Sequence, residues 1–191
     1  MHAATPLIKI ERQGAVLRIT FDRPEKKNAL SRAMYLAAAS ALREASSVPA
    51  AGAIVLAGSG GVFTSCNDIA DFLDPCTDDG EFPAFTFIKA LAACETPLVA
   101  AIEGLAIGIG ATMMLHFDLV YVAPDTIFRL PFADLGLVPE AASSLLLPQR
   151  IGMAKAAELL LLGESFDAQE AVRLGLANAI VPETQLYDFA I

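Results

Sequence analysis

Short apolar runs alternate with amphipathic segments along the chain, and turns rich in Gly, Pro, Asn and Asp separate them. Near the N-terminus, the runs Leu7–Arg12 and Ala15–Phe21 flank Gly14, which predicts a β-hairpin. Further strands are predicted at Ala53–Ala57, Leu98–Ile102, Leu119–Val122, Ile127–Leu130 and Ala179–Val181. Helices are predicted from a Ser31 cap to about Ser46, and at Phe82–Cys94, Gly108–His116, Pro139–Arg150, Lys155–Leu162 and Asp167–Leu174. Strands separated by helices in this way predict an α/β fold with largely parallel pairing.

No linker or low-complexity segment divides the chain, so we expect a single domain over residues 1–191. The acidic and polar segment Asp71–Glu81, which contains Pro75 and Gly80, is predicted to be its most mobile part. The most apolar stretch, Pro97–Ala123, is interrupted by Glu103 and by glycines. These interruptions favour buried core over a membrane span.

Composition narrows the classes of function. Of the 191 residues, 55% are hydrophobic and 18% are charged, which suits one well-buried domain and excludes general disorder. The formal net charge of −9 predicts that the chain binds neither nucleic acid nor an anionic membrane. The cysteines Cys66, Cys76 and Cys94 follow neither metal-site nor disulfide spacing, and the N-terminus has no apolar signal segment. We therefore expect a cytoplasmic protein.

The segment Thr96–Glu140 holds the most informative chemistry. It reads as an apolar strand, a glycine turn, a small-residue helix, a second strand and a Pro-Glu pair. This order places a backbone N–H at a helix start and, some distance along the chain, the lone carboxylate of Glu140. An N–H donor and one carboxylate suffice to move a proton next to a thioester carbonyl. Spacing alone also allows a simpler interpretation, in which Glu140 follows Pro139 at a helix start and complements the helix dipole.

Other motifs have weaker interpretations. Gly108-x-Gly110 lacks the third glycine of a dinucleotide fingerprint, because Met113 occupies that position. The chain has 2 histidines, too few for a metal cluster or a convincing nucleophilic triad, and His116 is expected to be structural. Cys66 has no evident histidine partner and is expected to be a small buried thiol.

Four segments together resemble the crotonase (enoyl-CoA hydratase/isomerase) superfamily, in the family's order and approximate spacing. They are Ile19–Ser31 (ITFDRPEKKNALS), Ile54–Phe72 (IVLAGSGGVFTSCNDIADF), Pro97–Gly152 and Ala168–Pro182. The resemblance implies a spiral of ββα units, acyl-CoA thioester substrates and assembly into homotrimers or hexamers. It implies no metal and no redox cofactor, since coenzyme A is part of the substrate.

Catalytic roles follow from the same resemblance. One N–H of an oxyanion hole is implied at Ser65, in the loop FTSCND, and the other at Ile109, where the glycine-flanked helix begins. Hydratases of the family use two glutamates, at positions that hold Thr112 and Phe132 here. Glu140 instead stands where Δ3,Δ2-enoyl-CoA isomerases of the peroxisomal type keep their single glutamate. The resemblance therefore implies an isomerase that converts 3-enoyl-CoA to 2-trans-enoyl-CoA, with Glu140 as the acid/base.

The resemblance also implies substrate-binding residues in two loops and along a groove. They are Lys27, Ala29 and Leu30 near coenzyme A; Thr64, Cys66 and Asp68 in the oxyanion loop; and Phe63, Asn67, Ile69 and Phe132 along an acyl groove. As sequence features alone, Lys27 belongs to an ordinary solvated charge run, and Asp68 is a residue that bonds N–H groups of its own loop.

Two departures from the family pattern leave other functions open. Cys66 stands where those isomerases carry glycine, so its β-carbon is expected to hinder the thioester or to strain the backbone. The chain is also expected to lack most of the helical C-terminal extension that family members have. The alternatives are other crotonase chemistry, as in a hydratase or a thioester hydrolase that uses Asp68 or Glu103 as a second carboxylate, and a non-catalytic CoA-binding remnant.

Overall fold

The computed structural model describes residues 7–47, 52–73 and 81–191. The strands are β1 Ile8–Gln13, β2 Val16–Phe21, β3 Ala53–Gly58, β4 Leu98–Ile102, β5 Leu105–Ile107, β6 Leu119–Val122, β7 Ile127–Arg129, β8 Phe166–Asp167 and β9 Ala179–Ile180. The α-helices are α1 Arg32–Ser47, α2 Ile69–Leu73, α3 Pro83–Ala92, α4 Ile109–Thr112, α5 Ser143–Ile151, α6 Met153–Leu162, α7 Ala168–Arg173 and α8 Glu183–Ala190. Short 3₁₀ turns occupy Pro24–Lys26 and Met113–His116.

Two sheets organise these elements. The larger sheet has the order β1-β2-β3-β4-β6-β9, and the smaller has the order β5-β7-β8. β1 and β2 pair antiparallel, which confirms the predicted hairpin, and β2, β3, β4, β6 and β9 pair parallel in succession. The predicted α/β class with largely parallel pairing is therefore confirmed.

The central strands are apolar on both faces because both faces are covered. In β3, Ile54 and Leu56 belong to the main core, where α1 and α3 pack. Val55 and Ala57 belong to a smaller core, to which α8 contributes Leu186. Successive side chains of a strand point to opposite faces, so one continuous apolar run supplies both cores.

The helix predicted at Pro139–Arg150 begins later than expected, at Ser143. Ala141 and Ala142 adopt left-handed backbone angles, with φ of 50° and 54°, and these angles cannot continue a right-handed helix. Glu140 therefore lies in a turn before α5 rather than in its first turn. The start of α1 agrees with the prediction, since Ser31 Oγ accepts a hydrogen bond from the Met34 N–H at 3.3 Å.

The helix predicted at Gly108–His116 is divided between α4 and a 3₁₀ turn. Four further strands and α-helices were not predicted, namely α2, β5, β8 and α8, and of these β5 fills the short space between two glycines of the predicted turn. Of the segment predicted to be most mobile, residues 74–80 lie outside the described residues. Within the described ranges, no helix is both long enough and apolar enough to cross a bilayer.

Tyr187 fastens α8 to the ends of two central strands. Its hydroxyl lies 2.7 Å from the Gly58 carbonyl oxygen and also within hydrogen-bonding distance of Glu103 Oε1. A tyrosine hydroxyl has a single proton and can donate to only one of these acceptors. The bond to Glu103 Oε1 favours the ionised carboxylate, but burial outweighs it and raises the pKa of Glu103 above its usual value.

We expect the Tyr187→Phe substitution to lower the free energy of unfolding by about 1–2 kcal/mol, because it removes these bonds from a partly buried site. The pKa of Glu103 is higher in the folded than in the unfolded chain, so this group's contribution to stability is lost as pH rises through the folded pKa. The Glu103→Gln variant keeps an acceptor for the Tyr187 hydroxyl and should flatten that part of the pH dependence. Urea unfolding at a series of pH values measures both effects, and equal slopes for wild type and Glu103→Gln would contradict a raised pKa of Glu103.

Candidate active site

The Glu140 carboxyl group is the chemical centre of the site. Its Oε1 accepts a hydrogen bond from Thr112 Oγ1 at 3.0 Å. Loss of hydration on burial raises the pKa of Glu140 to about 7, and the Thr112 bond opposes the rise because it favours the ionised form. A carboxyl group with a pKa near neutrality can both take up and release a proton at physiological pH.

Hydrogen bonds fix the turn that presents this carboxyl group. The Glu140 carbonyl oxygen accepts from the Ser143 N–H at 2.8 Å and from Ser143 Oγ at 2.6 Å. His116 Nε2 lies 2.9 Å from the carbonyl oxygen of Ala141. These contacts stabilise the left-handed backbone of the turn, and they give His116 the structural role expected from the sequence.

Two glycines bring the start of α4 against the oxyanion loop, residues 63–68. A β-carbon on Gly110 would lie 2.7 Å from Thr64 Cγ2, and one on Gly108 would lie 2.4 Å from Cys66 Sγ. Both distances are too short for ordinary contacts, and Gly108 also has a φ of 56°. The glycine turn therefore places the Ile109 N–H directly beside Cys66.

Cys66 occupies the position where the sequence resemblance led us to expect glycine. Its φ of 104° lies in the region that favours glycine. Cys66 therefore has the strained backbone that was expected for a residue with a β-carbon at this position. Asn67 Nδ2 lies 3.7 Å from the Cys66 sulfur, and the backbone N–H groups of Asn67 and Ile109 interact with the sulfur in the sense that lowers the thiol pKa. Burial raises the pKa of the Cys66 thiol, which favours the neutral thiol over the reactive thiolate.

Both backbone groups predicted to form an oxyanion hole have polar neighbours inside the protein. The Ser65 N–H donates to the Lys27 carbonyl oxygen at 3.0 Å, and the Ile109 N–H interacts with the Cys66 sulfur. A thioester oxygen would have to replace these neighbours or share the N–H groups with them. The roles of Ser65 and Ile109 therefore stay predictions.

The predicted CoA loop and the oxyanion loop are joined by backbone hydrogen bonds. The Leu30 N–H donates to the Cys66 carbonyl oxygen at 2.8 Å, and the Asp68 N–H donates to the Leu30 carbonyl oxygen at 2.9 Å. Asp68 also accepts from Arg23 Nη1, which lowers the pKa of its carboxyl group, and from the Ala70 N–H at 2.9 Å. The structure thus gives Asp68 the loop-bonding role that its sequence context suggested. In the same region Leu30 is buried, Ala29 is half-buried, and Lys27 is exposed with a φ of 49°.

The residues predicted to line an acyl groove differ in exposure. Phe63 is fully buried, with its ring centroid 5.6 Å from that of Phe21, so contact with an acyl chain would require this part of the loop to move. Phe132 is nearly fully buried, Asn67 is half-buried and Ile69 is 73% exposed. Thr64, which was predicted to bind substrate in the oxyanion loop, is fully buried. Their contacts with a substrate stay predictions.

Tyr35 of α1 is a polar residue of the site that sequence reasoning missed. It is buried, and its hydroxyl donates to Asn67 Oδ1 at 2.5 Å. Burial and the nearby Glu140 and Cys66 raise its pKa, so the hydroxyl keeps its proton. A tyrosine on the apolar face of an Ala-rich helix was the available signal, because a buried tyrosine hydroxyl normally finds a partner.

The second carboxylates considered for hydratase or hydrolase chemistry are engaged elsewhere. Asp68 is paired with Arg23, as described above. Glu103 lines a cavity of about 520 Å³ together with Tyr187, and the lining of that cavity includes neither Glu140 nor Cys66. Thr112 and Phe132 stand at the positions of the two hydratase glutamates. Thr112 contacts Glu140, and Phe132 is a buried apolar residue.

Comparison with known proteins agrees with this arrangement. Residues 11–191 match the family model described as enoyl-CoA hydratase/isomerase. The chain is 36% identical to enoyl-CoA delta isomerase 2 of Rattus norvegicus over 183 residues, which cover 93% of this chain and 46% of the rat protein. The chain thus spans about half the length of that relative. The predicted resemblance to the isomerases is confirmed at the level of sequence.

Solved structures give the same result for the fold. An enoyl-CoA hydratase/isomerase from Pseudoalteromonas atlantica superposes with a TM-score of 0.93 and 42% identity, over 96% of this chain and 73% of the other. An enoyl-CoA hydratase from Mycobacterium marinum superposes with a TM-score of 0.89 and 39% identity, over 96% and 88% of the two chains. These agreements confirm the predicted crotonase-like fold, and the relatives include proteins named isomerase and proteins named hydratase. The chain belongs to the enoyl-CoA hydratase/isomerase family.

Proposed function

We propose that the chain is an acyl-CoA isomerase that shifts the double bond of a 3-enoyl-CoA to give the 2-trans-enoyl-CoA. The observation that carries this proposal is the Glu140 carboxyl group, with a pKa near 7 and a threonine beside it in place of a second glutamate. Coenzyme A enters as part of the substrate. The resemblance to the family supports a homotrimer or hexamer as the working assembly, which sedimentation velocity would test.

The proposed reaction needs one acid/base group. Ionised Glu140 removes a proton from C2, and the electron pair of that C–H bond moves into the thioester carbonyl to form a dienolate. The N–H groups of Ser65 and Ile109 stabilise the charge on the oxygen, in exchange for their present neighbours. Glu140 then returns the same proton to C4, and the double bond moves to C2–C3. No water is added and no second carboxylate is required.

The rate should depend on pH through the ionisation of Glu140. Burial raises the pKa of Glu140 to about 7, so below that pH only a minority of the enzyme molecules have the ionised carboxylate that acts as the base. We therefore expect kcat/KM to rise about 10-fold per pH unit below pH 6 and to level off above pH 8, since each unit changes the ionised fraction by that factor. Initial rates with 3-hexenoyl-CoA between pH 5.5 and 9 measure this profile. A flat profile would show that another group limits the reaction.

Product analysis separates this proposal from other chemistry of the family. The coupled assay with a hydratase and a dehydrogenase detects 2-trans-hexenoyl-CoA, and a separate incubation in ¹⁸O-labelled water without the coupling enzymes detects hydration by the chain itself. Release of free CoA detects thioester hydrolysis. Isomer formation without ¹⁸O or CoA release supports the isomerase, whereas either of the other products would overturn it.

One observation supports a second candidate function, CoA binding without turnover. The Cys66 sulfur interacts with the Ile109 N–H, which is one of the two proposed oxyanion donors. If the substrate cannot displace this sulfur, acyl-CoA would bind without reacting. Calorimetric binding of hexenoyl-CoA by a folded chain that forms no product would favour this candidate.

A further inference from the structure

Thr112 is placed to control the orientation of the Glu140 carboxyl group. The residue is 1% exposed, and its Oγ1 lies 3.0 Å from Glu140 Oε1. It also lies 3.5 Å from the Ile109 carbonyl oxygen, the ordinary contact of a threonine within a helix. The contact with the Glu140 carboxyl group is the shorter of the two. The Thr112 hydroxyl therefore does more than bond the backbone of its own helix.

The two oxygens of the Glu140 carboxyl group are therefore not equivalent. Oε1 is engaged by a hydroxyl donor that is fixed in α4. It accepts this hydrogen bond most strongly when the carboxyl group is ionised, and it can still accept the bond when a proton resides on Oε2. The Thr112 bond can thus persist while the carboxyl group gains and loses a proton, and it prevents the carboxyl plane from rotating.

We propose that Thr112 is a positioning residue whose hydroxyl holds Oε1 of Glu140, so that Oε2 is the oxygen that carries the proton between C2 and C4. This inference rests on the proposed isomerase function. The single turn of α4 presents the Ile109 N–H at its start and the Thr112 hydroxyl at its end. These positions are about 4.5 Å apart along the helix axis. One turn of helix therefore orients both the oxyanion donor and the base.

The Thr112→Val substitution keeps the side-chain shape and removes the hydroxyl. We expect kcat for 3-hexenoyl-CoA to fall about 10-fold to 100-fold, the cost of a misoriented catalytic group, with KM changed less than about 3-fold. The midpoint of the pH–rate profile should move to higher pH, because the lost bond favoured the ionised carboxylate. Thr112→Ser restores the hydroxyl and should restore both the rate and the midpoint.

Thr126→Val is the matched control. Thr126 is also fully buried, and its Oγ1 donates to the Ile102 carbonyl oxygen at 3.0 Å. The control removes a comparable buried hydroxyl, so it should destabilise the fold to a similar extent while leaving the pH midpoint unchanged. Equal pH shifts in the two valine variants would assign the effect of Thr112 to stability alone and overturn the inference.

A titration that needs no turnover separates this inference from the isomerase proposal. In protein labelled with ¹³C at the glutamate carboxyl groups, the Glu140 resonance is assigned by its loss in Glu140→Gln, and its pKa is read directly. A higher pKa in Thr112→Val than in wild type and Thr126→Val supports the role of Thr112, even if the wild type proves inactive on 3-enoyl-CoA. An unchanged pKa overturns the inference, even if the isomerase activity is found.

Discussion

Replacing Glu140 by glutamine is expected to lower kcat for 3-hexenoyl-CoA by about 10³-fold, within the range that a general acid/base contributes. Glutamine has nearly the same shape and can still pair with Thr112, but it cannot take a proton from C2. Binding of the acyl-CoA should change little, because the proposed contacts with coenzyme A lie in the Lys27–Leu30 loop. Steady-state kinetics and calorimetric binding on the same preparation measure the two quantities separately.

Glu103→Gln is a suitable control for Glu140→Gln. Glu103 is another buried glutamate with a raised pKa, but it lines a cavity whose lining does not include Glu140. Its replacement should leave kcat within about 3-fold of wild type, the scatter expected of a residue outside the reaction centre. If Glu140→Gln turns over as fast as this control, Glu140 is not the acid/base.

The second large effect is expected from Cys66→Gly, which should raise kcat/KM by about 10-fold to 100-fold. The substitution removes the sulfur that interacts with the Ile109 N–H and should make that donor available to a thioester oxygen. The upper bound follows from the roughly 10²–10³-fold effect of a single oxyanion-hole donor on kcat. Glycine also suits the φ of 104° at this position better than cysteine does.

Cys66→Ala distinguishes two causes of that gain. Alanine removes the sulfur and keeps the β-carbon, so an increase equal to that of glycine would identify the sulfur as the obstacle. An increase seen with glycine alone would identify the backbone strain. Cys94→Ser, a half-buried thiol in a different part of the chain, serves as the control for loss of a cysteine. No gain in either Cys66 variant would mean that the sulfur does not compete with the substrate.

The activity of the wild-type protein decides which candidate function the Cys66→Gly result supports. A measurable wild-type rate that rises in Cys66→Gly supports a working isomerase with a partly obstructed donor. A wild type that binds acyl-CoA but is inactive, and that becomes active in Cys66→Gly, supports the non-catalytic candidate. The two functions are thus separated by one pair of proteins.

The strands of the central sheet were predictable because their pairing buries continuous apolar runs such as AIVLA and LVAAI. The start of α5 was not predictable in the same way. Alanine has the highest helix propensity, yet Ala141 and Ala142 take left-handed angles in the turn that carries Glu140. Hydrogen bonds from Ser143 within the turn, and the contact of His116 with Ala141 that the tertiary fold creates, override the helical preference of alanine there.

In the candidate site, too, some features were predictable from the sequence and others depend on tertiary packing. The position of Glu140 came from resemblance to a family, and periodicity alone would have assigned it to a helix start. The contact between Thr112 and Glu140 joins residues that are far apart in the sequence, and nothing in their local context indicates it. The Tyr35–Asn67 bond and the sulfur beside the Ile109 N–H were equally invisible, because each depends on how α1, α4 and the oxyanion loop pack.

The single turn of α4 has a mechanical consequence. Ile109 and Thr112 are joined by the covalent backbone of one turn, so a small displacement of α4 moves them together as a rigid body. The spacing between the oxyanion donor and the anchor of the base is then insensitive to thermal motion of the surrounding sheets. Such motion instead changes the distance from this pair to the Lys27–Leu30 loop that is proposed to bind coenzyme A, so we expect it to affect substrate capture more than the spacing of the two groups on α4.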